Sequence, residues 1–300
     1  MNNYGYEFIN LYNAARRPST VHCTNTALVN YYADYLLQKA MAVFKFEGLP
    51  DYWAANYFKY VLFGYGFIAV MNTDKYGVIP QECGLSDTRT VFYQPKYAII
   101  NNPVFDKTYM LTIGQDCEII KLQPNYKSCM DIVYLYADQL ALCTETAGIN
   151  LLNSKLSYIF FAKDKAQAET LKKTYDKLAS GNPMAVIDSK LKDVDGSPNW
   201  QLFFQNVGQN YIADKVLTDM KKIEDRFKTV IGIPNANTFK KERLIRDEVN
   251  ANNFDTESNV LIWLENMQAD IAKVNKMFDL NISVSYRYAS DYREEVTANE

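Results

Sequence analysis

The clearest pattern along the chain is an amphipathic helix predicted over Tyr211–Val230. Apolar residues recur there at steps of four, four, three and four, the spacing that places side chains on one side of an α-helix; they are Ile212, Val216, Met220, Ile223 and Phe227. The other side mixes acids and bases, among them Lys215, Asp219, Lys222 and Arg226. The pattern predicts one face packed against protein and one charged face in water.

Other stretches with helical spacing predict several further helices. They run from a cap at Thr24 or Thr26 to about Phe44, over Tyr52–Leu62, from Met130 to about Asn153, over about Lys165–Ala179, and over Ser258–Phe278. The Met130 helix is apolar on most of its sides. A helix of this kind is buried on most sides, either as the core helix of one domain or between neighbouring subunits of a ring.

Short segments rich in β-branched and aromatic residues predict a small β-rich module before residue 130. They are Gly64–Met71, Val78–Gln81, Val91–Tyr93, Tyr97–Asn101, Tyr109–Ile113 and Cys117–Ile120. Further strands are predicted at Tyr158–Ala162, Ala185–Ile187 and Trp200–Phe204, and from alternation over Ile282–Tyr288. The polar ends, residues 1–20 and 291–300, are predicted to be flexible.

A turn and a charged run follow the amphipathic helix. Gly232 and Pro234 predict its end, and Asn235 and Asn237 favour a turn. The run then contains four cations, Lys240, Lys241, Arg243 and Arg246, with acids at Glu242, Asp247 and Glu248. Such a run is typical of a solvated helix start, or of a loop that contacts a polyanion.

Composition limits what the chain can bind and catalyse. A formal net charge of −3 and a pI of about 5.4 argue against strong general affinity for nucleic acid. The 23 tyrosines are typical either of protein–protein interfaces or of a tyrosine-rich core.

Motifs of catalytic and ligand-binding sites are missing from the sequence. Five cysteines without a CxxC pair and a single histidine, His22, argue against a disulfide scaffold and a Cys/His zinc site. Phosphate-binding glycine loops and hydrolase motifs are not found, and Asp193–Pro198 lacks the terminal glutamate of a calcium loop. We therefore predict no catalytic residues, no metal and no cofactor. We also expect no signal peptide and no bilayer-spanning segment.

Several motifs in fixed order resemble one protein family. They are Phe46–Pro50, Phe63–Phe67, Ala98–Pro103, the stretch Ile231–Asn250 with its Gly-Ile-Pro-Asn-Ala-Asn and Lys-Lys-Glu-Arg sequences, and Leu280–Tyr288. Together they resemble the upper collar protein, or head–tail connector (portal), of small short-tailed phages of the Bacillus Picovirinae type. The likeness is weakest over residues 156–209, and the strongly basic N-terminus of the family is reduced here to Arg16 and Arg17.

The resemblance implies a mainly α fold with α+β parts, assembled as a ring of twelve copies. It assigns a wing to residues 21–129 and 257–290, stem helices to 130–155 and 210–232, a small α/β clip to 156–209, and a channel loop to 233–256. The loop cations would then be Lys240, Lys241, Arg243 and Arg246. Lumen-facing stem residues would be Lys215, Asp219, Lys222 and Arg226.

The resemblance also implies a location in the virion and a set of partners. Within the particle these are other copies of the chain, double-stranded DNA in the channel, the major capsid protein or scaffold, and the lower collar or tail protein. A further partner is a separate packaging ATPase, with or without a packaging RNA. Twelve chains would carry 12 × −3 = −36 charges, so an acidic wall would repel DNA while sparse cations hold it weakly.

Two other functions fit parts of the same sequence. A nucleic-acid-binding adaptor would use the basic segment 240–246 for phosphate contacts, and would bind in a salt-sensitive way as a monomer or dimer. An enzyme with a pair of carboxylates would instead need a deep pocket within one chain.

Overall fold

The structure is a computed structural model that describes residues 18–153, 158–161, 165–179, 201–204, 212–234 and 246–288. The chain divides into two compact units. Unit 1 comprises Met1–Leu142 and Met220–Glu300, and unit 2 comprises Cys143–Asp219. The strand predicted at Ala185–Ile187 and the tail 291–300 lie outside the described residues, as does most of the segment 1–20.

The helices of the described residues are mostly those predicted. They are α1 (Thr26–Ala42), α2 (Ala55–Tyr65), α3 (Met130–Asn153), α4 (Lys165–Ala179), α5 (Ala213–Val230) and α6 (Arg246–Phe278). The predicted bounds of α3 and α4 are confirmed. The prediction that α6 begins at Ser258 is wrong, because the helix already begins at Arg246. The cap of α1 is Asn25 rather than a threonine, since the Asn25 side chain accepts the Leu28 amide at 3.2 Å.

Most predicted strands are also present. The strands are β1 (Phe44–Glu47), β2 (Phe67–Thr73), β3 (Gly77–Gln81), β4 (Gly84–Leu85), β5 (Tyr97–Ile100), β6 (Tyr109–Thr112), β7 (Cys117–Lys121), β8 (Tyr158–Phe161), β9 (Gln201–Phe204) and β10 (Ser283–Tyr286). Strands β1 and β4 were not predicted. Gly64 and Tyr65 end helix α2 rather than opening a strand. Val91–Tyr93 is a turn at a hairpin tip, so the strand predicted there is wrong.

Unit 1 has two hydrophobic cores. The first core joins α1, α2 and parts of α3, α5 and α6, with Leu36, Phe58, Phe63 and Phe227 fully buried within it. The second core lies in the β module, between the sheet β3-β2-β7 and the sheet β4-β5-β6. The predicted β-rich module is thus two three-stranded antiparallel sheets.

The N-terminal and C-terminal parts of unit 1 are joined by a strand pair. Strand β1 pairs antiparallel with β10, with Phe44 opposite Tyr286 and Glu47 opposite Ser283. Gly48 follows β1 with a φ of +70°, and a Cβ there would lie 2.0 Å from the Asn281 carbonyl oxygen. Only glycine permits both this backbone conformation and this close approach.

Buried acids attach distant segments of unit 1 to each other. Asp270 of α6 accepts the ammonium of Lys121 at 2.8 Å and that of Lys273 at 3.0 Å. Asp138 of α3 is fully buried; one of its oxygens lies 3.0 Å from Nδ1 of His22, and the other accepts the Cys23 amide at 3.4 Å. The Asp138 carboxylate therefore holds residues 22–23 against α3.

In unit 2, strands β8 and β9 form an antiparallel pair with Tyr158 opposite Phe204. The amide of Ile212, just before α5, donates to the Asn150 side-chain oxygen at 3.0 Å, so the end of α3 and the start of α5 are adjacent. None of the helices within the described ranges combines the length and apolar character needed to cross a bilayer.

The end of helix α5 is closed by a Schellman motif. The Ile233 amide donates to the Lys228 carbonyl at 2.8 Å, and the Gly232 amide donates to the Thr229 carbonyl at 3.2 Å. Gly232 has a φ of +80°, and its carbonyl accepts the Tyr286 hydroxyl at 2.6 Å. A Cβ at position 232 would lie 2.0 Å from Val260 Cγ2, so only glycine fits between α5 and α6.

The substitution Gly232→Ala is expected to destabilise the protein by about 2–4 kcal/mol, because it adds both backbone strain and a clash with Val260. The measurement is urea-induced unfolding. Gly77→Ala is the matched control, since Gly77 has a φ of +67° but nothing lies within 4 Å of its Cβ position. Equal losses of unfolding free energy in the two variants would show that the contact with Val260 does not contribute to the effect.

The cysteines should differ in reactivity. Burial raises the pKa of Cys117 and of Cys129 to about 12, and it also raises the pKa of Cys83. Cys23 is buried, and Cys143 is only partly so. Burial raises the pKa of Cys143 as well. At pH 8 we nevertheless expect a thiol reagent to label Cys143 first, because Cys143 is only partly buried and burial blocks access to the other four thiols. Peptide mapping by mass spectrometry would test this, with Cys143→Ser as the control; early labelling of Cys129 would contradict the packing described.

Candidate functional site

The four predicted stem residues are all exposed on helix α5. Lys215, Asp219, Lys222 and Arg226 follow one another at steps of four, three and four, so they share one face of the helix. Lys215 and Asp219 belong to unit 2, and Lys222 and Arg226 belong to unit 1. The prediction that this face meets water is therefore confirmed; whether it meets DNA stays a prediction.

The opposite side of α5 packs into unit 1. Phe227 is fully buried, and its ring contacts Tyr136 of α3 edge-on at a centroid distance of 5.5 Å. Met220 and Ile223 pack against the same core. Burial raises the pKa of Tyr136, and the positive charge of Arg226 partly offsets this. The charged face is thus supported from behind by a packed apolar face.

One acid on the flank of α5 is neutralised by the protein itself. Glu224 forms a close ion pair with Lys39 of α1, accepts the Tyr35 hydroxyl at 3.0 Å, and lies 3.7 Å from the Lys228 ammonium. Burial opposes its ionisation, but these hydrogen bonds and positive charges hold the pKa of Glu224 below its usual value. Burial likewise opposes the charge of Lys39, yet its bonds to Glu224 and Tyr35 raise the Lys39 pKa. This cluster fixes α5 to α1.

The basic segment begins at a firmly held point, which we call the rim: Ile231, Gly232, Ile233 and Pro234. Ile231 and Gly232 are buried, and Gly232 is held between Val260 and Tyr286. Of the predicted loop cations, Lys240, Lys241 and Arg243 lie outside the described residues. Arg246 is the first residue of α6 and so does not belong to a loop. Both ends of the segment 235–245 are therefore attached to helices.

The charge of this segment follows from its sequence. Residues 235–245 contain Lys240, Lys241 and Arg243 against the single acid Glu242, a formal charge of 3 − 1 = +2. The whole chain has a formal charge of −3. The segment is thus a local cationic site in an acidic protein, which suits weak attraction of phosphates rather than general binding of nucleic acid.

Sequence reasoning missed the residues that hold the rim. Val260 and Tyr286 each lie far along the chain from Gly232, and no spacing rule connects them. The alternation over Ile282–Tyr288 did predict that Tyr286 points to a buried face, and Tyr286 is 7% exposed. A buried tyrosine hydroxyl usually forms a hydrogen bond, so the sequence could have predicted that Tyr286 has a partner. It could not have identified that partner as Gly232.

Within the described part of the chain, no group of three or more His, Cys, Asp and Glu side chains could hold a metal ion. The candidate site consists of the charged face of α5 and the rim that carries the basic segment.

Comparisons with known proteins agree with the family suggested by the motifs. A family model described as Phage Connector (GP10) matches residues 12–290. Among solved structures, the chain resembles one in the portal and tail of native bacteriophage P68, with 13% identity, 95% of this chain and 100% of that chain covered, and a TM-score of 0.43.

It also resembles a chain in the virion of a native gene transfer agent particle, with 12% identity, 98% and 93% coverage, and a TM-score of 0.47. A third similar chain is in the neck of an empty particle of that kind, with 12% identity, 90% and 85% coverage, and a TM-score of 0.46. At these scores the overall likenesses are distant, whereas the family match spans nearly the whole sequence. The chain belongs to the phage connector family, whose members are the structural proteins that join head and tail.

Proposed function

We propose that twelve copies of this connector form a ring that surrounds a channel for DNA packaging, retention and ejection. The stem helices would be α3 and α5, the clip would lie within unit 2, and the wing would lie within unit 1. Membership of the family supports the ring, and the exposed charged face of α5 supports a surface that meets DNA.

The observation that carries the proposal is the rim. A segment with a formal charge of +2 starts at a helix end that is held in the core by Gly232, Val260 and Tyr286. Repeated around a ring, such segments would form a band of positive charge at one level along the channel axis. A cation that must meet passing phosphates in every subunit needs this kind of fixed attachment.

The mechanism would be physical rather than catalytic. Twelve chains carry 12 × −3 = −36 formal charges, so most of the channel wall would repel DNA and keep friction low. The cations of the segment 235–245 would attract phosphates weakly and briefly, which permits movement during packaging and slows escape afterwards. No step needs a cofactor.

The partners follow from the same proposal. The ring would lie in the virion, at one vertex of the capsid, between the major capsid protein or scaffold and the lower collar or tail protein. A separate packaging ATPase, with or without a packaging RNA, would supply the energy for DNA movement.

Native mass spectrometry of the purified chain is expected to show a ring of twelve 34.5 kDa subunits, 12 × 34.5 = 414 kDa. Negative-stain images of the same sample should show a central hole. A protein that stays monomeric at high concentration and binds DNA tightly at physiological salt would overturn the ring and favour the adaptor function.

The double substitution Lys240→Ala, Lys241→Ala is expected to leave rings intact while packaged DNA leaks from particles. Removal of two cations per chain should also reduce the slope of log K for DNA binding against log salt concentration. We expect the slope to fall by about 1–2, because fewer phosphates are contacted. The measurement is the fraction of particles that retain a full genome over time.

The matched control is Lys172→Ala, Lys173→Ala, which removes the same charge from exposed positions of helix α4. We expect these particles to retain DNA as the wild type does. If Lys240→Ala, Lys241→Ala particles also keep their genomes, the segment does not retain DNA.

A further inference from the structure

The two most exposed large apolar residues of the described chain, Val91 and Phe92, are at the tip of a hairpin in unit 1. Strands β4 and β5 form this hairpin, which extends through a bridge between Arg89 and Pro95. At its tip Val91 is 86% exposed, Phe92 is 78% exposed and Tyr93 is 58% exposed. A tip of this composition in water is unusual, because turns normally carry polar residues and glycine.

The tip is held in one conformation by hydrogen bonds. The Thr90 hydroxyl accepts the amides of Phe92 at 3.3 Å and Gln94 at 3.2 Å, while the Thr90 amide donates to the Gln94 carbonyl at 2.8 Å. The Tyr126 hydroxyl donates to the Gln94 side chain at 2.6 Å. Tyr93 has a φ of +59°, a conformation that tyrosine adopts rarely. An apolar tip fixed in this way loses little entropy when it binds.

Two further exposed apolar residues lie in the sheet to which the hairpin belongs. Ile99 of β5 lies directly opposite Met110 of β6, and the two are 37% and 60% exposed. Their neighbours Ala98 and Ile100 point the other way, into the second core. An antiparallel sheet with one face in water normally has polar residues on that face. Here Ile99 and Met110 form an exposed apolar pair on the outer face, beside Thr112.

We call Val91, Phe92, Tyr93, Ile99 and Met110 the hairpin patch. With large side chains presenting on the order of 150–200 Å² when fully exposed, their exposed parts amount to roughly 600 Å². One side of a standard protein–protein interface buries about 800 Å². The patch is thus large enough to be the centre of a protein interface. The charged residues Asp87, Arg89 and Lys96 are exposed beside it and mix both signs, as at the edge of a protein interface.

We propose that the hairpin patch packs against a neighbouring copy of this chain, an inference that rests on the proposed ring. A cyclic ring has heterologous contacts, so every chain must present two different surfaces that fit each other. Unit 1 has a second exposed aromatic surface, on α2 and the turn before it, formed by Tyr52, Tyr57, Tyr60 and Tyr65. Tyrosines of this kind are enriched at protein interfaces.

Phe92→Asp combined with Met110→Asp tests the surface by placing two carboxylates in the patch. Both side chains are exposed in the single chain, so folding should be retained and is checked by circular dichroism. Native mass spectrometry should show the ring fraction falling by roughly tenfold or more, since carboxylates buried without partners oppose association. Val21→Asp is the matched control, because Val21 is 64% exposed and lies outside the patch.

The results of this experiment distinguish a failure of the proposed contact surface from a failure of the proposed ring. Intact rings of the double variant would overturn the surface and leave the proposed function standing. A wild-type protein that never forms rings would overturn both.

A photo-crosslinker at position 92 provides a second measurement, which does not require the contact between subunits to be disrupted. Benzoylphenylalanine replaces Phe92 with a similar aromatic side chain, and rings of the purified chain contain no other protein. Irradiation should give a band of twice the chain mass. If rings form but position 92 reacts only within its own chain, the patch faces solvent in the ring, and the proposal is wrong.

Discussion

The structure of unit 1 depends on a closure made by residues from the C-terminal part of the chain. The Tyr286 hydroxyl donates to the Gly232 carbonyl at 2.6 Å, and Val260 packs where a side chain at position 232 would lie. These contacts join β10, the end of α5 and the middle of α6. Because the chain leaves unit 1 after Leu142 and returns at Met220, the returning helix needs such attachments to take one position.

Helix α5 has one face that is fixed in the protein and one face that is exposed. Helix α5 is held by the buried Phe227 and by the Glu224 cluster, while its opposite face keeps Lys215, Asp219, Lys222 and Arg226 in water. Apolar contacts and internal ion pairs therefore hold the helix, while the charges of the opposite face lie at the surface. If DNA passes this face as proposed, the mixed signs would limit the strength of any one contact.

Elements with long periodic patterns could be predicted from sequence, and elements decided by distant contacts could not. The bounds of α3 and α4 followed from helical spacing alone. Val91–Tyr93 has strong β propensity, yet hydrogen bonds to Thr90 make it a turn. The rim glycine was predicted as a helix end, but its tight fit against Val260 needed the structure. The cations 240, 241 and 243 stay predictions from sequence.

The buried acids contribute more to the uniqueness of the packing than to the net stability of the fold. Asp270 meets Lys121 at 2.8 Å and Asp138 meets His22 at 3.0 Å, and each contact joins segments over a hundred residues apart. Burying a charged group costs free energy that its partner largely repays, so such pairs add little net stability. Removal of one partner, however, leaves a buried group uncompensated, which excludes alternative packings of α6 and α3. In the proposed ring of identical subunits that uniqueness would matter, because an error in one copy would be carried into both of its neighbours.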